Sequence, residues 1–167
     1  MKNIVSKFQN TDPEFAELIQ NFACDEVVNN DDLDDHTRMI AVLSTLIGSQ
    51  SVDAFKEMLG YALETGVTPV EVKEIVYQAV AYLGLGRVFP FLACTNDVLE
   101  KQGVQLPLEG QATTNPSDRL EKGEQTQVDI FGDQMRGFSQ SGPEESRHIN
   151  KWLSDNCFGD YYTRTGL

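Results

Sequence analysis

Residues 62–83 read ALETGVTPVEVKEIVYQAVAYL, and the middle of that run decides the fold. Thr68-Pro69-Val70-Glu71 places a capping threonine, a proline for the first helical turn and a glutamate three positions on. Together they spell a capping box with proline where a helix start tolerates it. The helix it opens carries Val72, Ile75, Val76, Ala79, Val80 and Leu83, a helical recurrence rather than an alternating one. Upstream, Gly66 closes a helix from about Val52 to Thr65 with Phe55, Met58, Leu59 and Leu63 on one face. Downstream, Gly84-Leu85-Gly86 interrupts. A further helix is expected from about Arg87 to Gln102, bearing Val88, Phe91, Leu92, Val98 and Leu99, with Pro90 in its first turn.

The same reading extends to both ends. Thr11-Asp12-Pro13-Glu14 looks like a second capping box, opening a helix from Asp12 to about Val28 whose Phe15, Leu18, Ile19 and Phe22 share a face. Asn29-Asn30-Asp31-Asp32 breaks it. Asp34 or Asp35 then starts a helix through Met39, Ile40, Val42, Leu43, Leu46 and Ile47, ended by Gly48; apolar on most sides, it is expected to be central. Residues 104–117 form an extended linker with two prolines and Thr113-Thr114-Asn115. Two more helices are expected beyond it, Asp118 to Phe131 and Pro143 to Leu153, the second with its own box at Ser141-Gly142-Pro143-Glu144. No segment alternates long enough for a convincing strand, so the fold class is all-α.

The chain has 167 residues, 40% hydrophobic and 23% charged, enough for a core and too ordinary for a disordered chain. Lys and Arg total 13 against 26 for Asp and Glu, a net charge of −13. Such a surface repels phosphate backbones and anionic lipid, which excludes nucleic acid and membrane surfaces as expected partners. No apolar run reaches a membrane span, and the start Met1-Lys2-Asn3-Ile4-Val5 lacks the pattern of a signal peptide, so a cytoplasmic location is expected. Cys24, Cys94 and Cys157 form no C-x-x-C pair, which argues against a disulfide framework or a cysteine zinc site and leaves buried reduced thiols.

Three stretches invite chemistry and fail on their own terms. Glu145-Ser146-Arg147-His148 has the Glu-x-x-His spacing of di-iron bundles, but a second such motif is missing. The acidic cluster from Asp31 to Asp35 has Leu33 in a ligand place of a calcium loop and no glycine after it, and reads as a helix entry. Gly84-Leu85-Gly86 follows a helix rather than a strand, so it is a turn and not a phosphate cradle. No metal is expected.

From Leu33 to Gly103 the chain resembles the carboxymuconolactone decarboxylase family, which includes the alkylhydroperoxidase D-like proteins. The resemblance rests on Asp34-x-x-Thr37-Arg38 before an apolar helix, the Gly48-Ser49-Gln50 break, and Ala62 through Pro69. It continues in Glu71-x-x-Glu74-Ile75-x-x-Gln78 and Tyr82-x-Gly84. It implies an all-helical, oligomeric protein without a cofactor, with residues 1–103 as the family-like domain. Residues 118–167 look like the connector of two-repeat members, leading to a second repeat beyond Leu167; the native chain would then run to roughly 240 residues. Without that repeat, the segment from Asp118 is expected to reach to another chain through Phe131, Phe138, Trp152, Phe158, Tyr161 and Tyr162.

One branch of the family is a thiol peroxidase that uses a C-x-x-C pair, a downstream histidine and a glutamate on the preceding helix. Another decarboxylates a lactone acid, with a histidine managing the proton. Anchored on Ala62 to Pro69, the cysteine positions fall near Ser51 and Ala54, the histidine near Met58, and the glutamate on Met39. None of these four can relay an electron or accept a proton near neutral pH. Three readings follow. The chain is the catalytically incomplete first repeat of a decarboxylase-like enzyme, a degenerate thiol-peroxidase relative, or an oligomeric scaffold binding a small organic acid or lactone in a pocket lined by Tyr77, Gln78 and Tyr82. The homo-oligomer is expected to form through the apolar helices Met39–Ile47 and Val72–Leu83 and through the C-terminal arm.

Overall fold

In a computed structural model that describes residues 5–30 and 32–167, the capping box at Thr68 closes in both directions. The Glu71 amide donates to Thr68 Oγ1 at 3.2 Å, and the Thr68 amide donates to Glu71 Oε2 at 2.7 Å. Met1 to Ile4 and Asp31 of the expected helix break lie outside the described residues. The chain is all-helical, as the periodicity predicts: α1 Pro13–Asn21, α2 Asp35–Gly48, α3 Val52–Glu64, α4 Pro69–Leu83, α5 Leu85–Lys101, α6 Arg119–Phe131 and α7 Arg147–Trp152. No strand occurs among the described residues. None of their helices is long and apolar enough to cross a membrane.

Helices α2 to α5 make a four-helix body in which α2 and α5 each pack on both α3 and α4. Its centre is an edge-on pair, Phe55 of α3 against Phe91 of α5, with ring centroids 5.2 Å apart. Around them lie Leu43, Ile47, Leu59, Val72, Val76 and Leu99, all buried. Helix α2 starts where Asp34 accepts from the Thr37 amide and hydroxyl, both at 2.9 Å, and these bonds hold its carboxyl below the ordinary range. Gly84 sits at φ 80°, ending α4 and letting α5 begin one residue later.

Several expected boundaries move. Helix α1 stops at Asn21 instead of about Val28, because the chain widens into a π-helical turn at Phe22–Glu26, closed by Val27 N–H on the Phe22 carbonyl at 2.9 Å. Its capping box does not form: Thr11 Oγ1 donates to Asp12 Oδ2, and Asp12 takes the cap position without a side-chain bond. Helix α5 starts at Leu85 instead of Arg87, so Pro90 sits inside it, where the bond it removes would have ended on Gly86 in the open first turn. Helix α7 is confined to Arg147–Trp152 because the hydroxyl of Ser141, the expected cap, donates to the Phe138 carbonyl while Pro143 to Ser146 form a separate turn.

The C-terminal segment corrects the expectation of an arm reaching to another chain. Helix α6 packs against a π-helical stretch, Leu153–Tyr162, and the end of the chain returns to α4. Gln78 Nε2 donates to the Tyr161 carbonyl at 2.6 Å, and the Thr165 amide donates to the Gln111 carbonyl at 3.1 Å. Arg164 Nε and Nη2 donate to the two Glu74 carboxylate oxygens at 2.7 and 2.8 Å. Of the aromatics expected to reach outward, Phe158 is buried, with Phe131 edge-on to it at 5.8 Å.

Candidate functional site

Helices α2 and α3 bring together two of the four residues to which the resemblance points. Met39, on the core side of α2, and Met58, on the core side of α3, are 4% and 2% exposed and line one cavity of about 470 Å³. Val42 and Tyr61 continue its wall, and Cys24, Asp25, Val28 and Asn29 from the irregular segment after α1 close it. Ser51 and Ala54 stand outside this lining. Ser51 occupies the cap of α3 without a side-chain bond to the helix, its hydroxyl 3.1 Å from that of Ser49.

At the rim, Arg38 Nη1 donates to Asp35 Oδ1 and Nη2 donates to the Leu33 carbonyl, each at 2.7 Å, which holds the loop before α2. Asp25 accepts from Asn29 at 2.7 Å. Two thioethers, one thiol, a phenol and two engaged carboxylates offer no base poised to pull a proton and no second thiol to complete a redox pair.

The three cysteines are free and half-buried rather than buried. Burial pushes the Cys94 and Cys157 thiols up, against nucleophilic character. Neither histidine joins the cavity. His36 Nε2 lies 2.9 Å from Glu71 Oε1, tying the first turn of α2 to the capping box of α4. Burial raises the Glu71 carboxyl, but its bonds with Thr68 and His36 outweigh that and hold it low. His148 lies edge-on to Trp152 at 4.7 Å on the exposed side of α7. Among the described residues no three His, Cys, Asp or Glu side chains cluster as metal ligands.

The expected pocket of Tyr77, Gln78 and Tyr82 is divided in two, because successive positions on α4 face different neighbours. Gln78 and Tyr82 line a shallow apolar groove with Ile40, Ile75 and Leu167. Tyr82 and Tyr162 share a hydroxyl–hydroxyl bond, which pushes the Tyr82 phenol up to about 12.

Tyr77 instead faces a cavity of about 420 Å³ between α4, α5 and the 106–111 connector, with Lys73, Glu74, Asn96, Glu100 and Arg164. Lys73 is 9% and Glu74 2% exposed, a charged pair in the middle of the apolar face of α4. Lys73 Nζ donates to Asn96 Oδ1 and lies 6.0 Å from the Tyr77 ring centre. Burial pushes its ammonium below the ordinary value, and Glu100 offsets part of that. Sequence reasoning missed these residues; the visible signal was two charges, Lys73 and Glu74, falling between core positions Val72 and Ile75.

With this geometry in place, the model of the carboxymuconolactone decarboxylase family matches residues 13–97, slightly more than half of the chain. The match takes in α1 to α4 and most of α5, and leaves out the connector and the C-terminal helices. Comparison with curated proteins yields no match.

Proposed function

The chain belongs to the carboxymuconolactone decarboxylase family, and from that premise we propose that it is a catalytically incomplete member. It keeps the cavity of the fold as a binding pocket for a small organic acid or lactone and performs neither thiol peroxidation nor decarboxylation within this repeat. The observation that carries this reading is the pair Met39 and Met58, buried and facing one cavity, to which the resemblance assigns the family's glutamate and histidine positions. Thioethers fill space and meet apolar ligand surface, but they do not exchange protons. Arg38 at the rim would face the acid end of a ligand, and Met39, Val42 and Met58 its body.

The test pairs turnover with binding. Peroxide consumption with a dithiol and carbon dioxide release from a carboxylated five-membered lactone should both stay at the buffer rate. The lactone should still bind by ligand-observed NMR, and Met58→Trp, which fills the cavity, should abolish binding. Loss of two thiols on peroxide treatment, restored by reductant, would refute the proposal, as would lactone turnover.

We also infer that the protein works as a homo-oligomer. The apolar positions of α2 and α4 are largely taken up by the chain's own core. The surplus lies on α1 and the turn that follows it, where Phe15, Leu18 and Phe22 are 56%, 66% and 61% exposed. Sedimentation velocity at micromolar concentration should give a dimer or larger species, and Leu18→Glu should shift it toward monomer. A monomer in the parent chain would end this inference.

A further inference from the structure

The second cavity stands apart from the family's positions, and its buried charges do not balance. Glu74 and Arg164 neutralise each other through two bonds, their side chains 3% and 18% exposed. Lys73, equally part of the buried lining, donates only to a neutral amide and lies beside an aromatic ring; Glu100 acts on it from a distance, and no carboxylate of the described residues lies within ion-pair distance of it. The remaining carboxylates of the lining, Glu100 and Glu109, are solvent-exposed, where water screens them. The buried set therefore carries one uncompensated positive charge. A buried ammonium without a counter-ion is costly, and a monoanion arriving from solvent would relieve that cost. Arg164 spends Nε and Nη2 on Glu74, which leaves Nη1 without a hydrogen-bond acceptor among the described residues.

We propose that this cavity is a binding site for a small monocarboxylate with a compact apolar or aromatic body. Its carboxylate would be received by Lys73 Nζ beside Asn96, with Arg164 Nη1 as a second donor. The charge selects a monoanion, since a dianion would bring two negative charges to one positive. The rest of the lining selects the body: Val70, Leu106, Pro107 and the Tyr77 ring present apolar and aromatic surface, and about 420 Å³ admits a ring-sized molecule.

Benzoate is the probe and benzamide its neutral isostere, titrated calorimetrically against the full chain. Benzoate should bind at least about tenfold more tightly than benzamide, the size of a charge-assisted hydrogen bond. Lys73→Met, which keeps the packed stem and removes the charge, should lose at least that factor. Asn96→Asp should lose it too, because it gives Lys73 an internal counter-ion and leaves the fold intact. Both variants leave the Met39–Met58 cavity untouched, so their loss of affinity separates this site from the family pocket. Equal binding of benzoate and benzamide overturns the proposal. So does full benzoate affinity in Asn96→Asp with an unchanged thermal midpoint, or no benzoate binding at about 10 mM.

Discussion

Gly123→Ala should unfold the C-terminal helices while leaving the four-helix body in place. A Cβ at position 123 would stand 1.9 Å from the Ser154 carbonyl oxygen and 2.8 Å from the Gly159 amide nitrogen. Both obstacles are backbone, so no rotamer change relieves them. The facing glycine meets the same constraint, since a Cβ at 159 would come within 2.1 Å of the Arg119 carbonyl oxygen. Helix α6 and the Leu153–Tyr162 stretch thus touch main chain to main chain, and everything else between them is arranged around that contact. Arg119 reaches Asp155 and Asp160 at 2.9 Å each, and Ser154 Oγ donates to Gln127 Oε1 at 2.6 Å inside the joint. Moving the two elements apart by an ångström or more would break these bonds as well as the contact. Overpacking of a well-filled core typically costs about 1–3 kcal/mol, and a clash with backbone belongs at or beyond the upper end. Hydrogen exchange should show α6 and residues 153–162 losing protection while α3 and α5 keep theirs. Native protection throughout in the variant would mean that the two elements slide past each other more freely than their packing implies.

That joint also shows where sequence reading stops. The capping box at Thr68 was legible because all its partners lie within three residues, and the four-helix body because its apolar positions recur at helical spacing. The Ala62–Pro69 anchor pointed to Met39 and Met58 from the sequence, and both line one cavity. The π-helical course of Leu153–Tyr162 was not, because the wide turn accompanies packing on Gly123, about thirty residues upstream, rather than any local preference. The same distance problem hid the second cavity. Nothing near Lys73 and Glu74 in the sequence says that Glu74 is answered by Arg164 from the returning tail, while no carboxylate of the described residues comes within ion-pair distance of Lys73. Tyr77, Gln78 and Tyr82, expected to line one pocket, lie on one helix. Their neighbours, Arg164 for Tyr77 and Leu167 for Tyr82, come from the returning tail and send them to different hollows.

Arg164→Leu should be the costliest single change on the other side of the molecule. The guanidinium lies 5.3 Å from the Tyr77 ring centre and grips both oxygens of a carboxylate whose side chain is 3% exposed. Removing it leaves Glu74 as a largely buried charge beside the core residues of α4, stripped of two strong bonds. Breaking a buried pair from one side costs about 3–5 kcal/mol, most of it the penalty of the orphaned charge rather than the worth of the pair. A double variant separates the two contributions. If the orphaned carboxylate is the cause, Glu74→Leu with Arg164→Leu should recover most of the stability lost by Arg164→Leu alone, read as urea midpoints at neutral pH. If the double variant is as unstable as the single one, the loss comes from the packing of the tail itself. The two cases also differ at Thr165. Its amide bond to the Gln111 carbonyl needs the tail seated on α4, so amide protection there should return in the double variant only if the seat is set by shape, with the ion pair serving to neutralise charges that the fold has already buried.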